Sequence, residues 1–217
     1  WKNSALIMSC YLPAWGDFWE WISRGLENRS KMLEERGFTV YSAINDPRSI
    51  YQISNKWLAN SNIINYCLEH GLYYRGCDRG CGIWLMDNPV DVPLGDATSY
   101  CMRRIKHMRI GPSVMTGSNC EGGQYDLVPL KLCHSMAYVH AGVNGFIFAC
   151  RCPLFTGMGP FRFFGLWTEN LVIHNMSIGD AARNAKMEMI KGYEDNYLIW
   201  KAFVIYNLIG DPAFNPY

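Results

Sequence analysis

Five short runs rich in β-forming residues set the plan of this chain: SALIMSCY at 4–11, FTVYSAI at 38–44, IINYCL at 63–68, PSVMTGSN at 112–119 and GFIFAC at 145–150. Short apolar runs bounded by turn residues read as buried strands. Helical patterns separate several of them. Asp17 is placed to cap a helix carrying Trp19, Ile22, Leu26 and Leu33 at helical spacing, with Gly37 as its stop. Asp46-Pro47 makes a turn before a short amphipathic helix at 49–60, Asp96 opens a helix to about 107, and 128–140 reads as a helix closed by Gly142. After the fifth run come a loop at 157–165, one or two helical stretches within 166–190 and a last helix at 195–209. Residues 72–95, rich in Gly, Pro, Cys and Asp and without periodicity, read as a long surface loop. Strands alternating with helices in this way predict a three-layer α/β/α sandwich around a mostly parallel sheet. We expect one domain over 1–217, part of a larger or processed chain, because Trp-Lys-Asn-Ser at the start has neither an initiator Met nor a signal-peptide pattern.

Charge and hydropathy narrow the function classes. Lys and Arg number 20 against 19 Asp and Glu, so there is no basic field to gather nucleic acid. At 49% hydrophobic and 18% charged residues the chain has the material for a core. Its longest apolar runs, 145–150 and 198–208, are too short for a membrane span, and Lys201 interrupts the second.

Nine cysteines stand at 10, 67, 77, 81, 101, 120, 133, 150 and 152. Disulfides, a metal site and buried or idle thiols are three competing readings. Zinc is disfavoured because Cys77-x3-Cys81 and Cys150-x-Cys152 are the only close pairs, and no His stands near enough to complete a usual knuckle. Asp87, Asp91 and Asp96 offer oxygen ligands for a structural calcium but match no EF-hand spacing.

In parallel α/β sheets the chemistry gathers beyond the carboxyl ends of the strands. There the sequence puts His70 after the third run, Cys120 after the fourth and Arg151 after the fifth. An imidazole beside a thiol makes the thiolate and then protonates a leaving amine. The N–H groups of Gly71 and Cys120 are candidates for an oxyanion hole, and Gly122-Gly123 frees the turn after the nucleophile. A bare Cys, however, is more often a small buried hydrophobe.

The surrounding residues are more specific. Tyr66-Cys67-Leu68-Glu69-His70-Gly71 and Val114-Met115-Thr116-Gly117-Ser118-Asn119-Cys120 resemble the His-Gly and Asn-Cys motifs of gingipain-like cysteine peptidases, in the caspase-like clan that also holds clostripain, legumain and separase. Gln124-Tyr125-Asp126 and the closing Leu208-Ile209-Gly210-Asp211-Pro212 extend the likeness. The resemblance implies a caspase-like fold and a cysteine endopeptidase with a polypeptide substrate and no cofactor. His70 is then base and acid, Cys120 the nucleophile, and Gly71 with Cys120 the oxyanion donors. It also implies that Arg151, Cys152 and Pro153 wall the substrate pocket, where a guanidinium favours an acidic or polar side chain. The family takes an acidic partner for its His from an upstream subdomain or chain; within this sequence Glu69, Asp46 and Asp17 are the substitutes. The insertion at 72–95 has no family counterpart.

If Cys120 stays a thiol, the other eight cysteines are free to pair, with Cys77 and Cys81 anchoring the long loop, which places the protein outside the cell or on its surface. A non-catalytic structural or binding domain of a cell-surface assembly is the alternative, and a cytoplasmic regulatory caspase-like protein a third. His107, His134, His140 and His174 read as surface or packing residues, the Trp15, Trp19 and Trp21 cluster as the apolar face of a core helix, and the charges at 31–36 and 102–109 as solvated faces.

Overall fold

The computed structural model describes residues 3–9, 16–44, 60–67, 70–72, 82–84, 99–101, 107–117, 134–151 and 159–216. Its elements are β1 (Ser4–Ser9), α1 (Gly16–Glu35), β2 (Thr39–Ala43), β3 (Ile63–Cys67), β4 (His70–Leu72), β5 (Gly82–Trp84), β6 (Ser99–Cys101), β7 (Ser113–Gly117), α2 (His134–His140), β8 (Val143–Ala149), α3 (Gly159–Val172), α4 (Ile178–Ile190), α5 (Tyr197–Ile205) and β9 (Tyr206–Gly210). The main sheet has six strands in the order β2-β1-β3-β7-β8-β9, parallel except for β9.

Both faces of the sheet are covered, as parallel sheets require. Every residue of β1 and β7 is buried. Side-chain alternation along β8 shows the two outer layers directly. Phe146 and Phe148 share one face, their rings 5.3 Å apart, and Phe148 meets Tyr138 of α2 at 5.8 Å. Gly145 turns to the opposite face, where a Cβ would lie 2.2 Å from Ile178 Cδ1 of α4. Helix α4 is therefore on the far side of the sheet from α2, and the molecule is a three-layer α/β/α sandwich.

Helix α3 joins α4 on that side through a stripe at helical spacing, Phe163, Phe164, Trp167 and Leu171, all buried. The buried Trp167 donates from Nε1 to Ile178 O at 3.3 Å, and Phe164 meets Tyr206 of β9 edge-on at 5.2 Å. Ser177 caps α4: its hydroxyl accepts from Asp180 N at 3.2 Å and donates to Asp180 Oδ2 at 3.0 Å. Replacing Ser177 with alanine is expected to cost about 1 kcal/mol, read as a lower urea midpoint at constant slope. An unchanged midpoint would show that the cap contributes nothing.

Asn62, buried just before β3, ties the sheet's lower margin together. Its Oδ1 accepts from Ser4 N at 3.1 Å and its Nδ2 donates to Pro216 O at 3.2 Å, while its backbone bonds Ser4 O and Val114 N.

The five predicted parallel strands and the first helix are present. Gly37 and Gly142, at φ 83° and 101°, make the left-handed turns after α1 and α2. Four expectations need correction. The loop read at 72–95 contributes to a small antiparallel sheet, β4-β5-β6, and the helix expected from Asp96 gives way to strand β6 at Ser99–Cys101. The loop read at 157–165 is the start of α3, because Pro160 is tolerated in a first helical turn, where its missing N–H has no intrahelical partner. The helix read at 195–209 ends at Ile205, and the chain continues as the antiparallel edge strand β9. Apart from Asn60, the helix expected at 49–60 lies outside the described residues.

Candidate active site

Strands β3 and β7 are neighbours in strict parallel register, Ile63 opposite Val114 through to Tyr66 opposite Gly117. One ends at Cys67 and the other at Gly117. From Cys67 to His70 and from Gly117 to Cys120 is the same three-residue step, so the chain leaves adjacent strand ends and reaches the two motif residues after equal lengths. Strand order reverses between β1 and β3, since β1 leads to β2 on one side while β3, β7 and β8 follow on the other. The reversal lies between β1 and β3, so β3 borders the position at which α/β sheets commonly bind ligands.

His70 opens β4, opposite Trp84, and Gly71 stands opposite Ile83 in β5. The segment after the candidate base is thus held by strand pairing. Cys120 and its neighbours 118–133 lie outside the described residues, as do Cys152, Pro153, Glu69, Asp46, Cys77, Cys81, Asp87, Asp91 and Asp96. Asp17 falls in the first turn of α1. Among the described residues no three His, Cys, Asp or Glu side chains gather as a metal site would need.

Arg151 follows β8 at the same edge, is exposed, and donates from Nη1 to Cys150 O at 2.7 Å. Cys150 itself is a buried thiol, 7% exposed, whose sulfur accepts from Asn207 Nδ2 at 3.7 Å. The expectation that the eight cysteines other than Cys120 pair into disulfides therefore fails at this position: the sulfur lies among β9 and helix side chains and acts as a hydrogen-bond acceptor. Lys186 of α4 donates to Asn207 Oδ1 at 3.3 Å and lies 5.2 Å from the centre of the Phe203 ring. Burial pulls the Lys186 pKa below the ordinary lysine range, and the electrostatic influence of neighbouring Cys150 opposes that shift. Sequence reading missed Lys186 and Asn207. The one available signal was an Asn inside the apolar run Ile205–Ile209.

The remaining sequence candidates divide. His107, His140 and His174 are exposed, as expected of surface residues, and the polar positions of 31–36 face solvent. Trp21 is 37% exposed and packs edge-on against Phe161 at 6.1 Å. It borders a cleft of about 700 Å³ between α1, α3 and the turn before α5, lined also by Leu26, Arg162, Tyr193 and Leu198. Among the described residues no strand residue lines that cleft.

No family model matches the sequence, and no curated protein matches it. Solved structures do match. One, described simply as a protease, superposes with a TM-score of 0.64 over 99% of this chain and 48% of its own, at 12% identity. A chain of the Saccharomyces cerevisiae separase–securin complex superposes with a TM-score of 0.59 over 96% of this chain and 12% of its own, at 16% identity. The fold is caspase-like. This chain spans about half the length of the first neighbour and about an eighth of the second. Among the described residues no helix is long and apolar enough to cross a membrane.

Proposed function

We propose that the chain is a cysteine endopeptidase of the gingipain-like type, acting by acyl transfer on a polypeptide. The observation that carries this reading is the parallel pairing of β3 with β7, which brings together the strand ends that lead in equal steps to His70 and Cys120. The likeness of the fold to a protease and to the separase–securin chain supports it.

In this reading His70 takes the proton from the Cys120 thiol as sulfur attacks the substrate carbonyl carbon. The N–H groups of Gly71 and Cys120 receive the oxyanion. The tetrahedral intermediate collapses with cleavage of the C–N bond, His70 passes its proton to the departing amine, and a thioester remains. Water, deprotonated by the same imidazole, attacks the thioester, and the acid product leaves as the thiol reforms. No step calls for a cofactor. Arg151, followed by Cys152 and Pro153, borders the substrate pocket, and its guanidinium selects an acidic or polar side chain. The protein works outside the cell or at its surface, with a further subdomain or chain supplying the acidic partner of His70.

A peptidyl electrophile, such as an acyloxymethyl ketone, tests the assignment without knowledge of the substrate. Peptide mapping by mass spectrometry is expected to find a stoichiometric adduct on Cys120, abolished by His70→Ala. An intact folded protein that acquires no adduct at Cys120 would overturn the proposal in favour of a non-catalytic binding domain.

A further inference from the structure

The cleft of about 700 Å³ between α1, α3 and the turn before α5 is lined mostly by apolar side chains. Ile22, Leu26 and Ile199 are buried against it, and Trp21 and Phe161 meet edge-on beside them. Gly25 of α1 keeps the space open. A Cβ there would meet nothing within 4 Å, although glycine weakens a helix interior relative to alanine, so packing within the chain does not account for the small residue. Sites for small ligands run from roughly 300 to 1,000 Å³ and share this make-up, an apolar wall with a few polar groups that fix orientation.

Arg162 supplies the polar group that points to an anion. Its guanidinium lies 5.0 Å from the centre of the Tyr193 ring and donates from Nη2 to Glu188 O at 3.2 Å. Those contacts hold the group in place without neutralising it. The Glu188 carboxylate pairs with Lys191 at 3.4 Å instead, and among the described residues no carboxylate pairs with Arg162. A guanidinium carries five N–H donors, so most of them remain for a ligand. Arg29 brings a second guanidinium to the same wall, its Nη2 3.5 Å from Phe161 O and 3.4 Å from the point that a Gly165 Cβ would occupy. Among the described residues the one carboxylate in the lining is that of Glu169, exposed and two helical turns beyond Arg162, about 10 Å along the axis of α3. The Arg162 end of the cleft is thus complementary to a negative charge, and the remainder to an apolar body.

We propose that this cleft binds a long-chain carboxylate of the fatty-acid class, with the head accepted by the Arg162 guanidinium beside Tyr193 and the alkyl chain laid along the α1 face from Trp21 to Met32. That face runs about 16 Å, the reach of an extended dodecanoate. A carboxylate takes two parallel N–H bonds from a guanidinium, which fixes the head, while burial of the chain against Leu26 and its neighbours holds the tail. Trp21, Gly25, Arg162 and Tyr193 take no part in the proposed peptide hydrolysis, so the site and the peptidase stand or fall separately.

Isothermal titration calorimetry of the chain with sodium dodecanoate, kept below its micelle concentration at neutral pH, tests this. A saturable site of one ligand per chain is expected, with dodecyltrimethylammonium, the same tail on a cation, bound at least about tenfold more weakly. Arg162→Met should weaken dodecanoate about tenfold, the loss of one charge-assisted contact, and bring the two amphiphiles closer in affinity. Gly25→Leu fills the cleft and should abolish binding without lowering the thermal transition, since leucine is the better helix former. If Gly25→Leu does not fold by circular dichroism, the exposed Arg162 carries the test. Absence of saturable binding, equal affinity for the two amphiphiles, or a dodecanoate affinity unchanged in folded Gly25→Leu or Arg162→Met would overturn the proposal. So would a concentration-dependent dimer dissociated by Gly25→Leu, which would assign the cleft to a second copy of the chain.

Discussion

Cys120→Ala is expected to lower kcat on any cleaved peptide at least about 10³-fold, with the thermal transition left in place. The size follows from the role: without sulfur there is no acyl-enzyme, and only binding and oxyanion donors remain to assist water. His70→Ala should fall in the same range, because a thiol without its base attacks slowly and the amine then leaves unprotonated. The double variant should be scarcely worse than either single one, since two groups serving one step do not contribute additively. Steady-state kinetics with a fluorogenic peptide library measures all three. Retention of more than a tenth of the activity in folded Cys120→Ala would end the assignment.

The second large effect belongs to the fold. Gly210 lies at φ 132°, at the end of β9 and opposite Gly145 of β8. A Cβ there would sit 2.2 Å from Asn144 O and 2.5 Å from Gly145 Cα, both backbone atoms that cannot swing aside. Asn144 O is also the acceptor for Asp211 N at 2.9 Å, so moving it loosens the turn that follows. Backbone strain and overpacking together put the cost of Gly210→Ala at about 3 kcal/mol or more, a fall in Tm of roughly 6–12 °C for a chain of this size. At Gly145 the nearest atom to a new Cβ is the tip of the Ile178 side chain, which can rotate, so Gly145→Ala should cost less. Differential scanning calorimetry ranks the two. A Gly210→Ala variant melting within about 2 °C of the parent would show that the β9 turn yields freely.

This glycine gives a physical reason for part of the closing motif Leu208-Ile209-Gly210-Asp211-Pro212. Leu208 and Ile209 pair with Ile147 and Phe146 across the last ladder, and Gly210 lets the chain pass the β8 backbone. Beyond it, Gly179 N, near the start of α4, donates to Pro212 O at 2.9 Å.

The parallel strands were legible because each is a short apolar run cut off by Gly, Pro, Asp or Asn, and burial on both faces favours such runs. Strand β9 was not, since Tyr197–Leu208 is nearly unbroken apolar sequence, and nothing between Ile205 and Tyr206 marks a change from helix to strand. Pairing with β8 decides it, a long-range effect that local pattern does not carry. Similarly, Gly157-Met158-Gly159-Pro160 looks like a loop to any reading that counts breakers, yet α3 begins inside it. At the candidate site, His70 stood out because strand ends in parallel sheets are where polar chemistry concentrates. Lys186 did not, because only folding brings α4 beside Asn207 and Cys150, and a lysine in a helix ordinarily reads as a solvated side chain.

Asn62 bonds both Ser4 N and Pro216 O. Since β1 starts and the antiparallel β9 finishes on the same margin, the first and last described residues meet there, across the full height of the sheet from the edge at which β3 and β7 end. A short tag joined to either end of the described chain would therefore start on the margin opposite the edge at which β3 and β7 end.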